Sequence, residues 1–144
     1  MKKVLVVLLA LVMVFSLVAC GGGSDTDTDA AISKIILITD KGNIDDKSFN
    51  QGAWEGVVAF ATENEIEHEY IKPEEASDAG YLAAIALAVE AGADVVVTPG
   101  FLFEVPIYEA QTLYPDVKFI ILDGAPHTAD YSDVTIEANV ASVF

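Results

Sequence analysis

Apolar and polar residues follow one another along this chain in blocks that predict strands and helices in regular succession. Short β-branched runs predict strands at Ile32–Thr39, Ile66–Ile71, Asp94–Val97, Val117–Leu122 and Val134–Ala138. Apolar residues at helical spacing predict helices that begin near Phe49 and that cover Gly80–Ala91 and Phe103–Leu113. Strands alternating with helices are typical of an α/β fold, a parallel sheet covered on both faces. The first strand is apolar on both faces and is therefore expected at the centre of the sheet.

The pattern before residue 32 is different. Lys2 and Lys3 precede an apolar run, Val4–Val18, that is too short to cross a membrane comfortably. Small residues close the run, so residues 1–19 are predicted to be a secretory signal peptide. Leu17-Val18-Ala19-Cys20 resembles the lipobox of bacterial lipoproteins, which makes Cys20 the predicted site of lipidation and of a membrane anchor. An unmodified cysteine is the alternative. Residues 20–31 are then an acidic, flexible linker, and residues 32–144 one α/β lobe.

The charge of the chain narrows the class of partner. The formal net charge is −16. Removal of the signal peptide leaves five lysines and no arginine against 23 acidic residues, a net charge of −18. Such a surface repels phosphate backbones, so no nucleic acid partner is expected. The sequence also has no glycine-rich phosphate loop. A neutral or cationic small molecule fits better, although acidity that serves only solubility is the alternative for most of the surface.

The stretch Ile35–Gln51 predicts a strand, a polar loop and a helix start, the arrangement that places ligands at the carboxyl ends of strands. Ser48 and Gln51 match the S-x-x-Q capping box. Two other strands end in polar or turn residues, Thr98–Gly100 and Asp123-Gly124. A strand order of 2-1-3-4 brings these ends to one edge, with a crevice between the first and third strands.

Four side chains at this edge are candidate ligand contacts: Asp40, Phe49, Asn50 and Asp123. The carboxylates of Asp40 and Asp123 accept hydrogen bonds from hydroxyl or amine groups, and the Asn50 amide both donates and accepts. Phe49 offers a ring on which a flat heterocycle can stack. Together they suit a nucleoside. Each also has a structural alternative, because aspartates cap helices and form turns, and Phe49 could pack on the first helical turn.

A catalytic role was weighed for the loop Asp40–Asp46, which superficially resembles the calcium-binding aspartate cluster of nucleoside hydrolases. Ile38 stands in place of the first aspartate, Lys41 in place of a proline, and one residue is inserted. A hard cation needs its oxygen ligands at fixed positions, so the match is poor. We find no catalytic triad, zinc-ligand spacing or partner for His127 in the sequence. No enzyme activity, metal or cofactor is therefore predicted.

The stretches TDKGNIDDKSFNQGAWEG, AGADVVVTPG and FIILDG, together with the lipobox, resemble the basic membrane protein (Bmp/PnrA-like) family of lipoproteins. Members are substrate-binding components of ABC importers, many specific for purine nucleosides. The resemblance implies a lipid-anchored protein on the extracytoplasmic face of the cell membrane, with an ABC permease and its ATPase as partners. A sugar-binding or other metabolite-binding lipoprotein, or a sensor that does not transport, has the same sequence signature.

The resemblance also implies roles for the candidate residues. Phe49 is expected to stack on the purine, Asp40 and Asn50 to bond the base edge, and Asp123 to hold ribose hydroxyls. The fold implied is a Rossmann-like lobe of a type I periplasmic-binding-protein-like fold, in which two lobes enclose the ligand. In that fold the chain after Asn139 leads into the crossover to the second lobe, so the chain is expected to be a first lobe that ends near the hinge.

Overall fold

A computed structural model describes residues 31–144. The predicted signal peptide, the lipidation site Cys20 and nearly all of the predicted linker lie outside these residues. The elements are β1 (Lys34–Ile38), α1 (Phe49–Glu63), β2 (Glu67–Ile71), α2 (Asp78–Glu90), β3 (Val95–Pro99), a 3-10 turn (Phe101–Phe103), α3 (Glu104–Leu113), β4 (Lys118–Leu122) and β5 (Val140–Val143). Within residues 31–144, no helix combines the length and apolar character needed to cross a membrane.

The five strands form one parallel sheet in the order β2-β1-β3-β4-β5. The α/β class and the 2-1-3-4 order are therefore confirmed. Strand β2 lies at the edge, as its alternating pattern predicts, and Lys34 of β1 binds two of its carboxylates, Glu67 at 3.1 Å and Glu69 at 2.6 Å. The chain runs from β1 to β2 on one side of β1, and then crosses β1 to reach β3 on its other side. The topological switch point therefore lies between β1 and β3.

The side chains of β1 alternate between two apolar clusters, as a strand buried on both faces requires. Ile36 and Ile38 pack with α2 and α3, whereas Ile35 and Leu37 pack under α1. Helix α2 begins at Asp78, two residues earlier than predicted, because the Ser77 hydroxyl accepts the Gly80 N–H at 3.2 Å. Although this helix is rich in alanine and leucine, it is not buried all round, since its Leu87 is 55% exposed.

The predicted strand Val134–Ala138 is wrong, and the fifth strand is Val140–Val143. The backbone of residues 134–138 is hydrogen-bonded to the Gln111 side chain and not to a neighbouring strand. Gln111 of α3 donates from Nε2 to the Thr135 carbonyl at 2.9 Å, and its Oε1 accepts the Glu137 N–H at 3.0 Å. Because these backbone groups are already satisfied and the Val134 side chain is 63% exposed, nothing favours a strand here.

Candidate functional site

The register of the sheet places the candidate residues along one edge. Leu37 of β1 is level with Val97 of β3, which is level with Ile120 of β4. Three residues C-terminal to each of these positions, at the ends of the strands, are Asp40, Gly100 and Asp123. Because strands lie about 4.8 Å apart, the two aspartates are separated by the width of β3, roughly 10 Å. The edge thus presents two carboxylates with a glycine between them.

Asn50, in the first turn of α1, holds the loop that follows β1. Its Oδ1 accepts the Asp40 N–H at 3.1 Å, and its Nδ2 donates to Oδ1 of Asp40 at 2.7 Å and to Oδ2 of Asp46 at 2.8 Å. The Asn50 side chain is only 3% exposed. Both amide hydrogens and one acceptor position are therefore engaged inside the protein, which leaves one lone pair for any ligand.

Asp46, and not Ser48, caps α1. The helix begins at Phe49 as predicted, but the Ser48 side chain makes no capping bond. Oδ1 of Asp46 accepts the backbone N–H groups of Ser48 at 2.8 Å and Gln51 at 3.3 Å. The Asn50 amide, and then these N–H groups, lower the pKa of Asp46. The Gln51 amide accepts the Lys47 N–H, so the predicted capping box is replaced by an aspartate cap.

Asp40 keeps one carboxylate oxygen available. Its Oδ1 accepts the Gly42 N–H at 2.8 Å as well as the Asn50 amide. Its Oδ2 has no hydrogen-bond partner among residues 31–144. Asp40 is half-buried, and Oδ2 is the oxygen that is still free to accept a hydrogen bond from a ligand.

Phe49 lies beside this loop with 45% of its surface exposed, which is not the environment of a residue that packs on the helix. A second aromatic side chain follows β3 directly. Phe101 is 65% exposed and begins the 3-10 turn after Gly100. We did not single out Phe101 from the sequence. The signal was its position immediately after the Thr98–Gly100 strand end, which puts it at the same edge as Asp40 and Asp123.

Asp123 is exposed and has a left-handed backbone, with φ at +56°. Its N–H donates to the Val143 carbonyl at 2.7 Å, which ties the end of β4 to β5. Gly100 is fixed in the same way, since its N–H donates to the Leu122 carbonyl at 2.7 Å. The Asp123 carboxylate has no hydrogen-bond partner in the part of the chain that the structure describes. A backbone held on both sides thus presents a free carboxylate.

The loop after Asp123 is fixed by Glu104 of α3. Its Oε1 accepts the Ala125 N–H at 3.1 Å, and its Oε2 lies 3.1 Å from Nε2 of the buried His127. The other ring nitrogen of His127 lies 2.7 Å from the Thr128 carbonyl, and the ring stacks on Tyr131 at 3.8 Å. This partner of His127 is not evident from the sequence, because Glu104 lies 23 residues earlier and only the fold brings the two together.

Further along this loop, Asp130 organises a turn. The hydroxyl and backbone N–H of Ser132, followed by the Thr128 hydroxyl, lower the pKa of Asp130 to about 2. These bonds measure 2.7, 3.1 and 2.9 Å, respectively. The loop is therefore closed by its own side chains, and its start is anchored to α3 beside Asp123.

The arrangement of acidic groups does not form a cation site within residues 31–144. No group of three His, Cys, Asp or Glu side chains in this range is placed to hold a metal ion. In the Asp40–Asp46 loop, the Asn50 amide lies between the Asp40 and Asp46 carboxylates and donates to both. What the edge can do is bind a molecule through carboxylate acceptors and exposed aromatic rings.

Comparison with known proteins identifies the family of the chain. The model of the family described as "ABC transporter substrate-binding protein PnrA-like" matches residues 33–144. The chain belongs to this PnrA-like family. The resemblance noted from the sequence is thereby confirmed, and the matched range contains all four candidate ligand contacts.

Individual relatives carry related names. The chain is 32% identical over 143 residues to basic membrane protein A of Borreliella burgdorferi, covering 99% of this chain and 38% of that protein. It is 29% identical over 131 residues to the ABC transporter nucleoside-binding protein BmpA of Lactococcus lactis, covering 85% and 37%. The chain spans about a third of the length of the curated relatives it matches.

A solved structure shows the same fold. An ABC transporter solute-binding protein from Aeropyrum pernix superposes with a TM-score of 0.65 at 26% identity, over 76% of this chain and 28% of that one. The family-model match shows membership of the PnrA-like family, and this structure shows that the fold is shared with an ABC transporter solute-binding protein.

Proposed function

We propose that this protein is an extracytoplasmic solute-binding lipoprotein of an ABC importer that binds a purine nucleoside and delivers it to the permease. The observation that carries the proposal is the arrangement of side chains at the switch-point edge. The exposed ring of Phe49 lies beside the Asp40 carboxylate, which has an oxygen available, and the Asp123 carboxylate lies on the other side of β3. A nucleoside has a flat base and a polyol, and these two kinds of group match an aromatic ring and carboxylate acceptors.

Each residue takes one part in the proposed complex. Phe49 stacks on the purine, Oδ2 of Asp40 accepts a base N–H, and Asp123 accepts the ribose hydroxyls. Asn50 bonds the base edge through its remaining lone pair, and its other bonds hold Asp40 in place. The roughly 10 Å between the two aspartates suits a ligand whose base and sugar occupy opposite ends of the edge. Phe101 adds a second exposed ring over the middle of it.

The remaining features complete the proposal. Cleavage after residue 19 and lipidation of Cys20 attach the protein to the cell membrane, and residues 20–31 act as a tether. The acidic charge disfavours an anionic ligand and is compatible with a neutral nucleoside. The protein performs no chemistry, and a second lobe closing over the edge traps the ligand, as in other two-lobed binding proteins. The bound form then docks on the permease.

Calorimetric titration of the protein, from Gly21 to the end of its reading frame, tests the ligand class. Guanosine, adenosine, inosine, cytidine and ribose are the ligands. We expect micromolar or tighter binding of purine nucleosides and none of ribose. Binding of ribose alone would indicate a sugar-binding protein, and no binding of any nucleoside would refute the assignment.

A pair of variants tests the site itself. Phe49→Ala is expected to weaken purine nucleoside binding by about 1–3 kcal/mol, because a stacked base loses its platform. Phe60→Ala is the matched control. Phe60 lies on the same helix with a similar exposure, 52%, and is not one of the residues at the carboxyl ends of the strands. Equal affinities for the two variants would place the base elsewhere.

A further inference from the structure

Tyr81 of α2 carries a buried hydroxyl for which the fold supplies no partner. The side chain is 1% exposed, and its ring packs on Phe103 with centroids 4.5 Å apart. Its hydroxyl oxygen has no hydrogen-bond partner among residues 31–144. Buried polar groups are almost always hydrogen-bonded to protein, water or ligand, so an orphaned hydroxyl at this position needs an explanation.

Asp40 lies on the same side of the sheet as this hydroxyl. Ile36 and Ile38 of β1 share a cluster with Tyr81, and side chains alternate along a strand, so the next residue on that face is Asp40. Tyr81 also packs on Phe103, which follows the end of β3, so its ring lies near the edge where β1 ends in Asp40. Burial first, and then the negative charges of Asp40 and Asp78, raise the pKa of the Tyr81 phenol. Tyr81 therefore remains a neutral hydrogen-bond donor.

The unpaired atoms of the two side chains are complementary. The Tyr81 hydroxyl is an unused donor, and Oδ2 of Asp40 is an unused acceptor. They make no direct hydrogen bond, so a connection between them needs an intervening group. A single water bonded to both satisfies the hydroxyl and still leaves the carboxylate oxygen a lone pair that faces the edge.

We propose that Tyr81 is a positioning residue of the binding edge, whose hydroxyl holds Oδ2 of Asp40 through one buried water. This inference rests on the proposed function, because it assigns Tyr81 the task of fixing the oxygen that accepts the base N–H. Asn50 and Gly42 fix the other oxygen of Asp40, so the carboxylate is held at both ends. A carboxylate that cannot rotate presents its acceptor in one direction, which favours one arrangement of donors on the base.

Proton NMR of the protein without ligand tests the connection itself. We expect a slowly exchanging tyrosine hydroxyl proton that is missing in Tyr81→Phe, that shows a cross-peak to water, and that shifts in Asp40→Asn. A Tyr81 hydroxyl signal without a water cross-peak, or one unaffected by Asp40→Asn, would overturn the proposal. The result does not depend on which ligand the protein binds.

Ligand affinity then tests the consequence. Tyr81→Phe is expected to weaken binding of the preferred purine nucleoside roughly tenfold, the usual effect of losing one hydrogen bond to a charged group. It should also reduce the difference in affinity between that nucleoside and other purine nucleosides. In the Asp40→Asn background, Tyr81→Phe should change the affinity less than twofold. Tyr108→Phe is the control, because it removes a tyrosine hydrogen bond, to Asp133, that involves none of the candidate ligand contacts.

The outcomes separate the two proposals. A wild-type protein that binds no nucleoside refutes the proposed function, whereas the NMR result still decides on the Tyr81–Asp40 connection. If wild-type protein binds nucleosides but Tyr81→Phe lowers affinity equally with and without Asp40→Asn, Tyr81 has only a general structural role and the inference fails.

Discussion

The side chain of Asn50 binds Asp40 at both its backbone and its carboxylate. The amide oxygen accepts the Asp40 N–H at 3.1 Å, and the amide nitrogen donates to the carboxylate at 2.7 Å. A residue at the start of α1 thereby fixes the residue that ends the switch-point strand. The loop between them needs no other anchor to bring Asp40 and Phe49 together, because Phe49 is the neighbour of Asn50 in the helix.

Removing the Asn50 amide should therefore destabilise the protein. Asn50→Ala leaves the Asp40 N–H without a partner and removes one hydrogen bond from each of the Asp40 and Asp46 carboxylates, and we expect the free energy of unfolding to fall by about 1–3 kcal/mol. Urea unfolding measures the change. Asn64→Ala, at the exposed end of the same helix, removes one hydrogen bond from the Asn64 side-chain amide to the Phe60 carbonyl. It should lower the free energy of unfolding by less than about 0.5 kcal/mol. A similar loss in both variants would contradict the proposed role of Asn50.

Gly42 is predicted to be irreplaceable because the Asn50 and Asp46 side chains pack against it. A Cβ at residue 42 would overlap Nδ2 of Asn50 and lie 2.8 Å from Oδ2 of Asp46. Asn50 is buried and held by three hydrogen bonds, so it cannot move aside. Gly42→Ala should lower both stability and ligand affinity.

Two glycines of α1 provide a control of opposite sign. A Cβ at Gly52 or Gly56 meets open space, so alanine there should raise the free energy of unfolding by up to about 1 kcal/mol through helix propensity. Urea unfolding of the three variants distinguishes the cases. Stabilisation by Gly42→Ala would show that the β1–α1 loop rearranges freely.

The depressed pKa of Asp46 predicts a specific pH dependence. The unfolded aspartate titrates near 3.9, and the folded one titrates lower, because the Asn50 amide and the helix N–H groups favour its charged form. Its contribution to stability is therefore fully present above the unfolded pKa and is lost as the pH falls through the folded pKa. The stability difference between wild type and Asp46→Asn should be constant from pH 5 to 7 and should shrink below about pH 4.

Asp45→Asn is the control for loss of one carboxylate charge from the same loop, because Asp45 is exposed and its carboxylate makes no hydrogen bond within residues 31–144. At pH 7 it should change the free energy of unfolding less than Asp46→Asn does. A difference for Asp46→Asn that stays constant down to pH 3 would mean that the cap does not depend on the charge of Asp46.

Glu104 is predicted to control the mobility of the loop after Asp123. Glu104→Ala leaves the Ala125 N–H and the His127 ring without their partner, so hydrogen exchange at Ala125 should accelerate at least about tenfold. Glu109→Ala, an exposed change on the same helix, should leave that exchange rate unchanged. Unaltered protection in Glu104→Ala would show that other contacts of the loop suffice.

The sequence predicts the sheet well because the information is local. The β-branched run ending at Thr39 and its neighbours define the strands without reference to distant residues. Local patterns fail where a distant side chain intervenes. Val134–Ala138 has a strand-like pattern, but Gln111 of α3 takes up its backbone groups. Ser48 has the right spacing for a capping box, but Asp46 is a stronger acceptor two residues earlier.

The candidate site shows the same division. The positions of Asp40 and Asp123 follow from strand ends and strand order, both of which the sequence indicates. The contact of His127 with Glu104 and the burial of the Tyr81 hydroxyl do not, because each depends on residues from distant parts of the chain. Side-chain contacts between α2, α3 and the strand ends exist only once the sheet has formed.

Asp123 allows the ligand role to be separated from the fold by choice of substitution. Its backbone is left-handed, a conformation that asparagine tolerates and that alanine adopts at a cost of about 1–2 kcal/mol. Asp123→Asn should therefore keep the stability of the wild type and lose ligand affinity, since an amide presents one acceptor where the carboxylate presents two. Asp123→Ala should lose both. Thermal unfolding and calorimetric titration of the two variants measure these effects. If Asp123→Asn binds as tightly as wild type, the carboxylate does not hold the ligand, and the residue is retained only for the turn between β4 and the following loop.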